Sequence, residues 1–454
     1  KGLRVIADMV VNHTSDQHMW FKEARSDPNS PYRDYYVWSD DPTKYDGTRI
    51  IFTDTEVSNW TFDPVAGQYF WHRFYSSQPD LNYDNPAVQQ EMIRVMKFWL
   101  DLGIDGFRAD AVPYLFEREG TNCENLPVTH EYLKQIRAVI NAHYPGRILL
   151  AEANQWPKDV IPYFGTGSDE FHMGFHFPLM PRIFMALGKE ERTPLVWILQ
   201  QTPPLTETVQ WCIFLRNHDE LTLEMVTEEE REWMWNFYAP IPRMRLNLGI
   251  RRRLAPLLNN DRRKLELAYS LLFTMPGSPI LYYGDEIGMG DNIWLTDRNG
   301  VRTPMQWNRG KNGGFSEADP SHLYLPVIDD PEYSPEQVNV EDKSQDPNSL
   351  FNLIRHMIAV RKEHPAFGWG SFEWLFGEHP YDTNHIAAYI RYHEGDRLLI
   401  VHNLSGEEHS IVVHPPEIES SQPVDLLTGE KLPAMELNRL PLSLGPYRYR
   451  WLKL

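Results

Sequence analysis

Three acidic side chains stand where chemistry on a sugar would need them. Asp110 closes the run Gly106-Phe107-Arg108-Ala109-Asp110, Glu152 closes Leu149-Leu150-Ala151-Glu152, and Asp219 follows Arg216-Asn217-His218. Side chains two apart on a strand point to the same side, so Arg108 and Asp110 emerge together. A guanidinium beside a carboxylate keeps it ionised, the state required of a nucleophile at an anomeric carbon. Two carboxyls suffice for glycosyl transfer, one as nucleophile and one as acid/base. A third can hold sugar hydroxyls and stabilise positive charge in the transition state. Singly, an Arg-x-Asp is an ordinary ion pair and an Asn-His-Asp an ordinary turn. Their recurrence at successive strand ends is what gives them a joint meaning.

The elements that must position them are legible as short apolar runs, each closed by polar residues. Leu3 to Val11 ends at Asn12-His13, Ile104 to Phe107 at Arg108 and Asp110, and Ile148 to Ala151 at Glu152. A weaker strand, Glu170 to Phe177, precedes Trp211 to Leu215, which ends at Asn217-His218-Asp219, and Pro279 to Tyr283 ends at Gly284-Asp285-Glu286. Helices are expected over Asn85 to Leu102, Thr129 to His143 and Leu350 to Glu363. Strands alternating with helices, with function at the C-terminal strand ends, predict an α/β barrel of the (β/α)8 TIM type. Only part of such a barrel is visible, in residues 1–12 and 81–366. Residues 13–80 are rich in Asp, Pro, Trp and Tyr, show no helical period, and read as an inserted subdomain. Residues 367–454 alternate β-branched residues with Gly and Asn turns, which predicts a C-terminal antiparallel β-sandwich. The chain opens inside what reads as a buried strand, so it is expected to be a fragment, and targeting signals carry little weight.

Composition narrows the partners. The 454 residues are 42% hydrophobic and 24% charged, the balance of a packed domain rather than a disordered chain. No run of about 18 apolar residues exists, which excludes a spanning helix. Lys+Arg of 44 against Asp+Glu of 63 gives a formal charge of -19, which repels a phosphate backbone. Aromatics reach 13%, a share that suits stacking on sugar C–H faces and equally suits a large core. Cys123 and Cys212 are too few for a disulfide framework, which favours a reducing, cytoplasmic setting. The Asn-x-Ser/Thr triplets at Asn12, Asn59 and Asn403 read as chance.

Asp8-x-x-x-Asn12-His13, Gln78-Pro79-Asp80-Leu81-Asn82, Gly106-Phe107-Arg108-x-Asp110, Glu152, Asn217-His218-Asp219 and Gly277 to Glu286 together resemble, in order, the conserved segments of the α-amylase superfamily. The resemblance covers essentially the whole chain. It implies an interrupted TIM barrel whose first two strands are absent here, a B subdomain after strand 3 and a C-terminal β-domain. It also implies Asp110 as nucleophile, Glu152 as general acid/base and Asp219 as transition-state stabiliser, with His13, Arg108 and His218 around the −1 sugar. The segments Val112 to Pro127, Ala153-Asn154-Gln155-Trp156-Pro157 and Arg216 to Thr222 resemble most closely the members that interconvert maltose and trehalose. By that likeness Tyr114 and Glu220 lie towards the released glucose. A hydrolytic α-glucosidase is the enzyme alternative. A non-catalytic carbohydrate-binding domain is the other, and it would be signalled by loss of a carboxylate, whereas all three are present. The resemblance further implies structural Ca²⁺ held by Asn12, Asp80 and the Tyr114 carbonyl, with Glu117 and the Leu115 carbonyl completing the shell, because hard oxygen ligands suit that ion. No organic cofactor is expected. The expected partner is a small disaccharide, with no nucleic acid and no membrane. A second copy of the chain and a bound or fused maltokinase are compatible with the same reading.

Overall fold

A computed structural model describes residues 2–377, 382–416, 422–435 and 437–454. It divides into two compact units, one of residues 1–175 and 203–211 and the other of residues 176–202 and 212–454. Among the described residues, no helix is long and apolar enough to cross a membrane.

The first unit is built on parallel strands β1 (Ile6–Val10), β2 (Gly106–Asp110), β3 (Ile148–Ala151) and β4 (Met173–Phe175). The register sets Asp8 opposite Arg108 and Val10 opposite Asp110, and Ala109 opposite Ala151. On β2, Phe107 and Ala109 are buried while Arg108 and Asp110 are half-buried on the other side, the period-two pattern expected of a strand. Gly106 opens β2 at φ 156°, where a Cβ would fall 2.2 Å from the Ile148 carbonyl oxygen, so only glycine lets β2 lie against β3 here. The helix Pro86–Asp101 is started by Asn85, whose side chain accepts from the Ala87 N–H, with proline at its first position. It buries Val88, Met92, Met96 and Leu100, a four-residue spacing that lays one stripe on the sheet. The helix Pro127–His143 follows and buries Tyr132, Leu133, Ile136 and Ile140.

Residues 13–80 contain a three-stranded antiparallel sheet of Trp38–Ser39, Gln68–Trp71 and Trp60–Asp63. They also contain a helix, Met19–Ser26, where no helical period is visible in the sequence. Eight residues make barely two turns, too few for a pattern to show, and only Phe21 and Ala24 are buried. Tertiary contact stabilises the helix instead. The Phe21 ring meets Tyr36, Trp38 and Phe70 at centroid distances of 5.0, 5.7 and 5.1 Å.

The second unit holds parallel strands β5 (Gln210–Phe214, its last three residues here) and β6 (Ser278–Ile280), paired from Cys212 opposite Ser278 to Phe214 opposite Ile280. Around them run helices Leu179–Lys189, Glu228–Tyr238, Arg262–Thr274 and Leu350–Glu363, the second opened by a capping box between Thr227 and Glu230. The C-terminal part forms a five-stranded antiparallel sheet in the order Ser371–Leu375, Ile386–His393, Asp396–Asn403, Tyr449–Lys453, Val424–Asp425, with a separate pair His409–Val413 and Leu440–Leu444. Alternation divides the strand Ile386–His393 cleanly. Ile386, Ala388 and Ile390 enter the core between the strands. Tyr389 and Arg391 face the helix Arg262–Thr274, where the Tyr389 hydroxyl lies 2.6 Å from that of Thr274 and Arg391 donates to the Thr274 carbonyl at 3.1 Å. Asn12, Asn59 and Asn403 are all buried, which leaves no room for a glycan.

Buried histidines tie the same helix to the sheet. His402 is fully buried with Nε2 2.8 Å from the Ser270 hydroxyl, which also accepts from Trp451 Nε1 at 2.8 Å. Burial pushes its pKa down to about 3. The folded state therefore refuses a proton that the unfolded chain accepts below pH 6.5, so stability falls as pH drops from about 6.5 towards 3. Between pH 7 and 5 this site alone costs about 2 kcal/mol. Urea unfolding should show that slope, and His402→Gln should flatten it; an unchanged slope in the variant would assign the acid sensitivity elsewhere.

Candidate active site

In the first unit, Arg108 organises the mouth of the strands. One guanidinium nitrogen lies 3.0 Å from Asp8 Oδ1 and 3.2 Å from Asp110 Oδ1, and the other pairs with Glu152 Oε1. The arginine side chain is only 12% exposed, Asp110 25% and Glu152 15%, so the pairs are shielded but open to a small molecule. Glu152 is placed by its own N–H, which donates to the Ala109 carbonyl at 3.0 Å and continues the β2–β3 ladder past the strand end. Asp8, which the sequence reading quotes within a motif without a role, joins through register: it is the cross-strand neighbour of Arg108. His13 is half-buried close by. Desolvation lowers its pKa, and the charge of Asp110 opposes that shift. Its ring meets Phe74 at 5.3 Å.

Deeper in this unit lies a cradle of oxygen atoms. Asn12, Asp80 and Glu117 are all buried, and Asn12 Oδ1, Asp80 Oδ2 and Glu117 Oε1 have no hydrogen-bond partner. Burial pushes the Asp80 carboxyl up to about 7, although the Arg73 N–H donates to its other oxygen at 3.2 Å. Burial, followed by the Asp80 charge, pushes Glu117 well above the usual carboxylate range. Buried carboxylates without donors cost several kcal/mol unless a cation compensates. Among the described residues no group of three or more His, Cys, Asp or Glu side chains is placed to hold a metal, so any ion here relies on the Asn12 amide and on carbonyls. Tyr114 and Leu115 are buried in the turn that follows Asp110, which opens with Ala111 in the left-handed region at φ 56°. The Tyr114 ring carries Arg73 at 4.6 Å, and its hydroxyl accepts from Arg49 at 3.3 Å.

In the second unit, Asp219 follows β5 on a turn whose carbonyl accepts from Arg216 at 2.6 Å. Two arginines hold its carboxylate, Arg302 at 2.6 Å and Arg298 at 3.0 Å, and His218 Nε2 lies at 3.4 Å. Arg302 also donates to the His218 carbonyl at 2.7 Å, so it fixes the backbone and the acid together. The neighbouring Glu220 accepts from Arg298 at 2.7 Å and from Asn247 at 3.1 Å. Its carboxyl is shifted up, first by burial and then by Asp219, against the pull of Arg298. Neither Arg298 nor Arg302 is singled out by the sequence pattern as a partner of Asp219. The available signal was the four-residue spacing of the two arginines. Each unit thus presents carboxylates clamped by guanidinium groups.

Residues 1–238 and 250–370 match the family described as "Alpha amylase, catalytic domain", and residues 379–451 match "Maltogenic Amylase, C-terminal domain". The chain is 57% identical to the "Trehalose synthase/amylase TreS" of Mycobacterium tuberculosis, covering 100% of this chain and 76% of that protein. It is 53% identical to the "Trehalose synthase" of Pimelobacter sp. (strain R48), covering 100% of this chain and 81% of that one. Among crystal structures, the α-amylase of H. orenii superposes with a TM-score of 0.74 at 27% identity, covering 100% of this chain and 80% of that chain.

The clamp on Glu220 has a measurable consequence. Arg298→Met would leave Glu220, with a side chain only 10% exposed, beside Asp219 without its main partner. An orphaned buried charge of this kind costs about 3 kcal/mol. Urea unfolding at pH 7 should reveal that loss, and lowering the pH should recover part of it by protonating Glu220; a loss below about 0.5 kcal/mol would mean that the clamp is energetically idle.

Proposed function

The chain belongs to the α-amylase family, and from that premise we propose that it isomerises maltose and trehalose by retaining glucosyl transfer. The observation that carries the chemistry is the single Arg108 guanidinium touching both Asp110 and Glu152. The choice of isomerisation is supported by the full-length likeness to proteins named trehalose synthase.

Asp110 attacks the anomeric carbon of maltose while Glu152 gives its proton to the departing glycosidic oxygen. The C1–O bond breaks and a β-glucosyl ester of Asp110 forms. The released glucose turns in the pocket and attacks through its anomeric hydroxyl. Glu152 takes that proton, Asp110 leaves, and trehalose results with retained configuration. Arg108 favours the ionised nucleophile and the ionised Glu152 that serves as base in the second half of the cycle. Asp219, paired with Arg298 and Arg302, is assigned by the family resemblance to accept hydrogen bonds from sugar hydroxyls and to stabilise the oxocarbenium-like charge. The resemblance to the α-amylase family assigns His13 and His218 to the −1 sugar. Tyr114, committed to Arg49, and Glu220, committed to Arg298, are by the same resemblance assigned to the acceptor sugar. Holding the glucose next to the intermediate gives it a high effective concentration over water.

Maltose supplied with a large excess of labelled glucose should give mostly unlabelled trehalose, because the acceptor never leaves, and free glucose should be a minor leak. Asp110→Asn should abolish turnover of both disaccharides with the fold intact, since an amide cannot form the ester. Glucose without trehalose from the unaltered enzyme would replace isomerisation by α-glucosidase hydrolysis.

The oxygen cradle fits Ca²⁺. Asn12, Asp80 and Glu117 would hold the ion with the Tyr114 and Leu115 carbonyls, and unpartnered buried oxygens are what such an ion satisfies. When bound it would supply structural charge compensation between the β1 end and the loop after Asp110. The raised carboxylate pKa values set the sign of a test. A carboxyl raised from its ordinary value to about 7 favours the fold below about pH 4 and loses that benefit as pH climbs towards 7. A bound cation cancels this loss, so the melting-temperature gap between Ca²⁺-loaded and chelated protein should widen from pH 5 to pH 8. A gap that is absent or independent of pH would dismiss the site.

A further inference from the structure

Glu124 lies outside the reacting groups, yet it connects the loops that follow both of them. Its side chain is 5% exposed and meets two guanidinium groups on one oxygen, Arg73 at 2.9 Å and Arg49 at 2.8 Å. Its other oxygen accepts from Gln155 Nε2 at 2.9 Å. Arg73 is wholly buried, stacks on Tyr114 at 4.6 Å and donates to the Cys123 carbonyl at 3.2 Å. One side of Glu124 therefore reaches the turn after Asp110. The other reaches the turn after Glu152, where the Gln155 N–H donates to the Ala153 carbonyl at 3.0 Å and Ala153 is fully buried. The backbone around Glu124 is itself constrained: Cys123 and Asn125 both sit in the left-handed region, at φ 54° and 55°. A cysteine there is unfavourable and persists only where its surroundings demand it. The Asn122 side chain accepts from the Glu124 N–H at 3.2 Å, and Asn125 accepts from the Tyr163 hydroxyl at 2.6 Å, so this short segment is pinned from both flanks.

We propose that Glu124 is a positioning residue that sets the acid/base Glu152 relative to Asp110, acting through Gln155 on one side and through Arg73 and Tyr114 on the other. This rests on the assignment of Glu152 as the proton donor. Proton donation is the step most sensitive to such placement, because a general acid must lie within hydrogen-bond reach of the leaving oxygen. Nucleophilic attack by Asp110 depends on it less, since Asp110 is the last residue of β2 itself, whereas Glu152 stands beyond the end of β3 on the loop that Gln155 shares.

The test compares two donors of the same glucosyl group. Maltose departs only if Glu152 protonates the glycosidic oxygen. α-Glucosyl fluoride breaks its C1–F bond and releases fluoride without a proton, forming the same ester with Asp110. Glu124→Gln leaves Arg73 without its charge partner and endangers the fold, so Gln155→Ala, which cuts only the link to the Glu152 loop, is measured beside it. For Gln155→Ala, kcat/KM for maltose should fall about tenfold or more while kcat/KM for fluoride release changes less than about twofold. Glu124→Gln should show the same asymmetry in whatever fraction folds. Equal losses on both donors, or no loss on either, would overturn the proposal. Failure of the unaltered enzyme to use either donor would instead overturn the glucosyl-transfer reading on which it stands.

Discussion

Arg108 carries one positive charge into a place where three carboxylates, Asp8, Asp110 and Glu152, approach it. Its own strand, the strand before and the strand after each contribute one of these acids, so the guanidinium ties three neighbouring strand ends together. A planar fork does this with donors on separate nitrogens, whereas lysine presents its three donors from a single nitrogen. Partial burial makes the arrangement matter. The Arg108 guanidinium is 12% exposed, and its pairs with Asp110 and Glu152 are shielded from bulk water and stronger than a surface pair, whereas Asp8 is exposed. The remaining site is arranged around the same economy of charge. Negative groups outnumber the arginine, a balance that suits positive charge better than a neutral group.

Arginine recurs as the device that orders irregular backbone. In the second unit Arg251 donates to the carbonyls of Ile293, Leu295 and Asp297, and Arg243 to those of Ile293 and Trp294, which straps the loop leading to Arg298. Arg391 binds the Thr274, Phe367, Gly370 and Ser371 carbonyls and fastens the C-terminal sheet to the helix Arg262–Thr274. Each guanidinium replaces the hydrogen bonds that a regular helix or strand would have supplied. The loops that carry Asp219 and its clamp are consequently fixed structure, although they contain little regular secondary structure. Such fixity is what a site needs if its electrostatics are to be in place before the substrate arrives.

Much of the candidate site was legible in the amino-acid order because it depends on local periodicity. Arg108 and Asp110 share a face through the two-residue repeat of a strand, and Glu152 and Asp219 follow apolar runs that could only be buried strands. The helix Leu350–Glu363 was likewise readable from its apolar spacing, with Ser349 in front of it accepting from the Asn352 N–H. What local pattern could not convey is which distant residues meet. The pairing of Asp8 with Arg108 follows from inter-strand register, and the clamp of Arg298 on Asp219 and Glu220 joins positions about 80 residues apart. The helix Met19–Ser26 escaped for a related reason: its stability comes from aromatic rings brought by other segments.

The sequence alone therefore determined the fold class, the strand-end carboxylates and the kind of reaction they suit, since these follow from side-chain type and short-range repeat. Tertiary structure decided the charge partnerships: Arg108 shared among three acids, Glu124 between two arginines and Gln155, and Asn12, Asp80 and Glu117 each buried with an unpartnered oxygen. The physical reason is that burial and Coulomb attraction depend on distance through space, and chain order specifies that distance only after the backbone has folded.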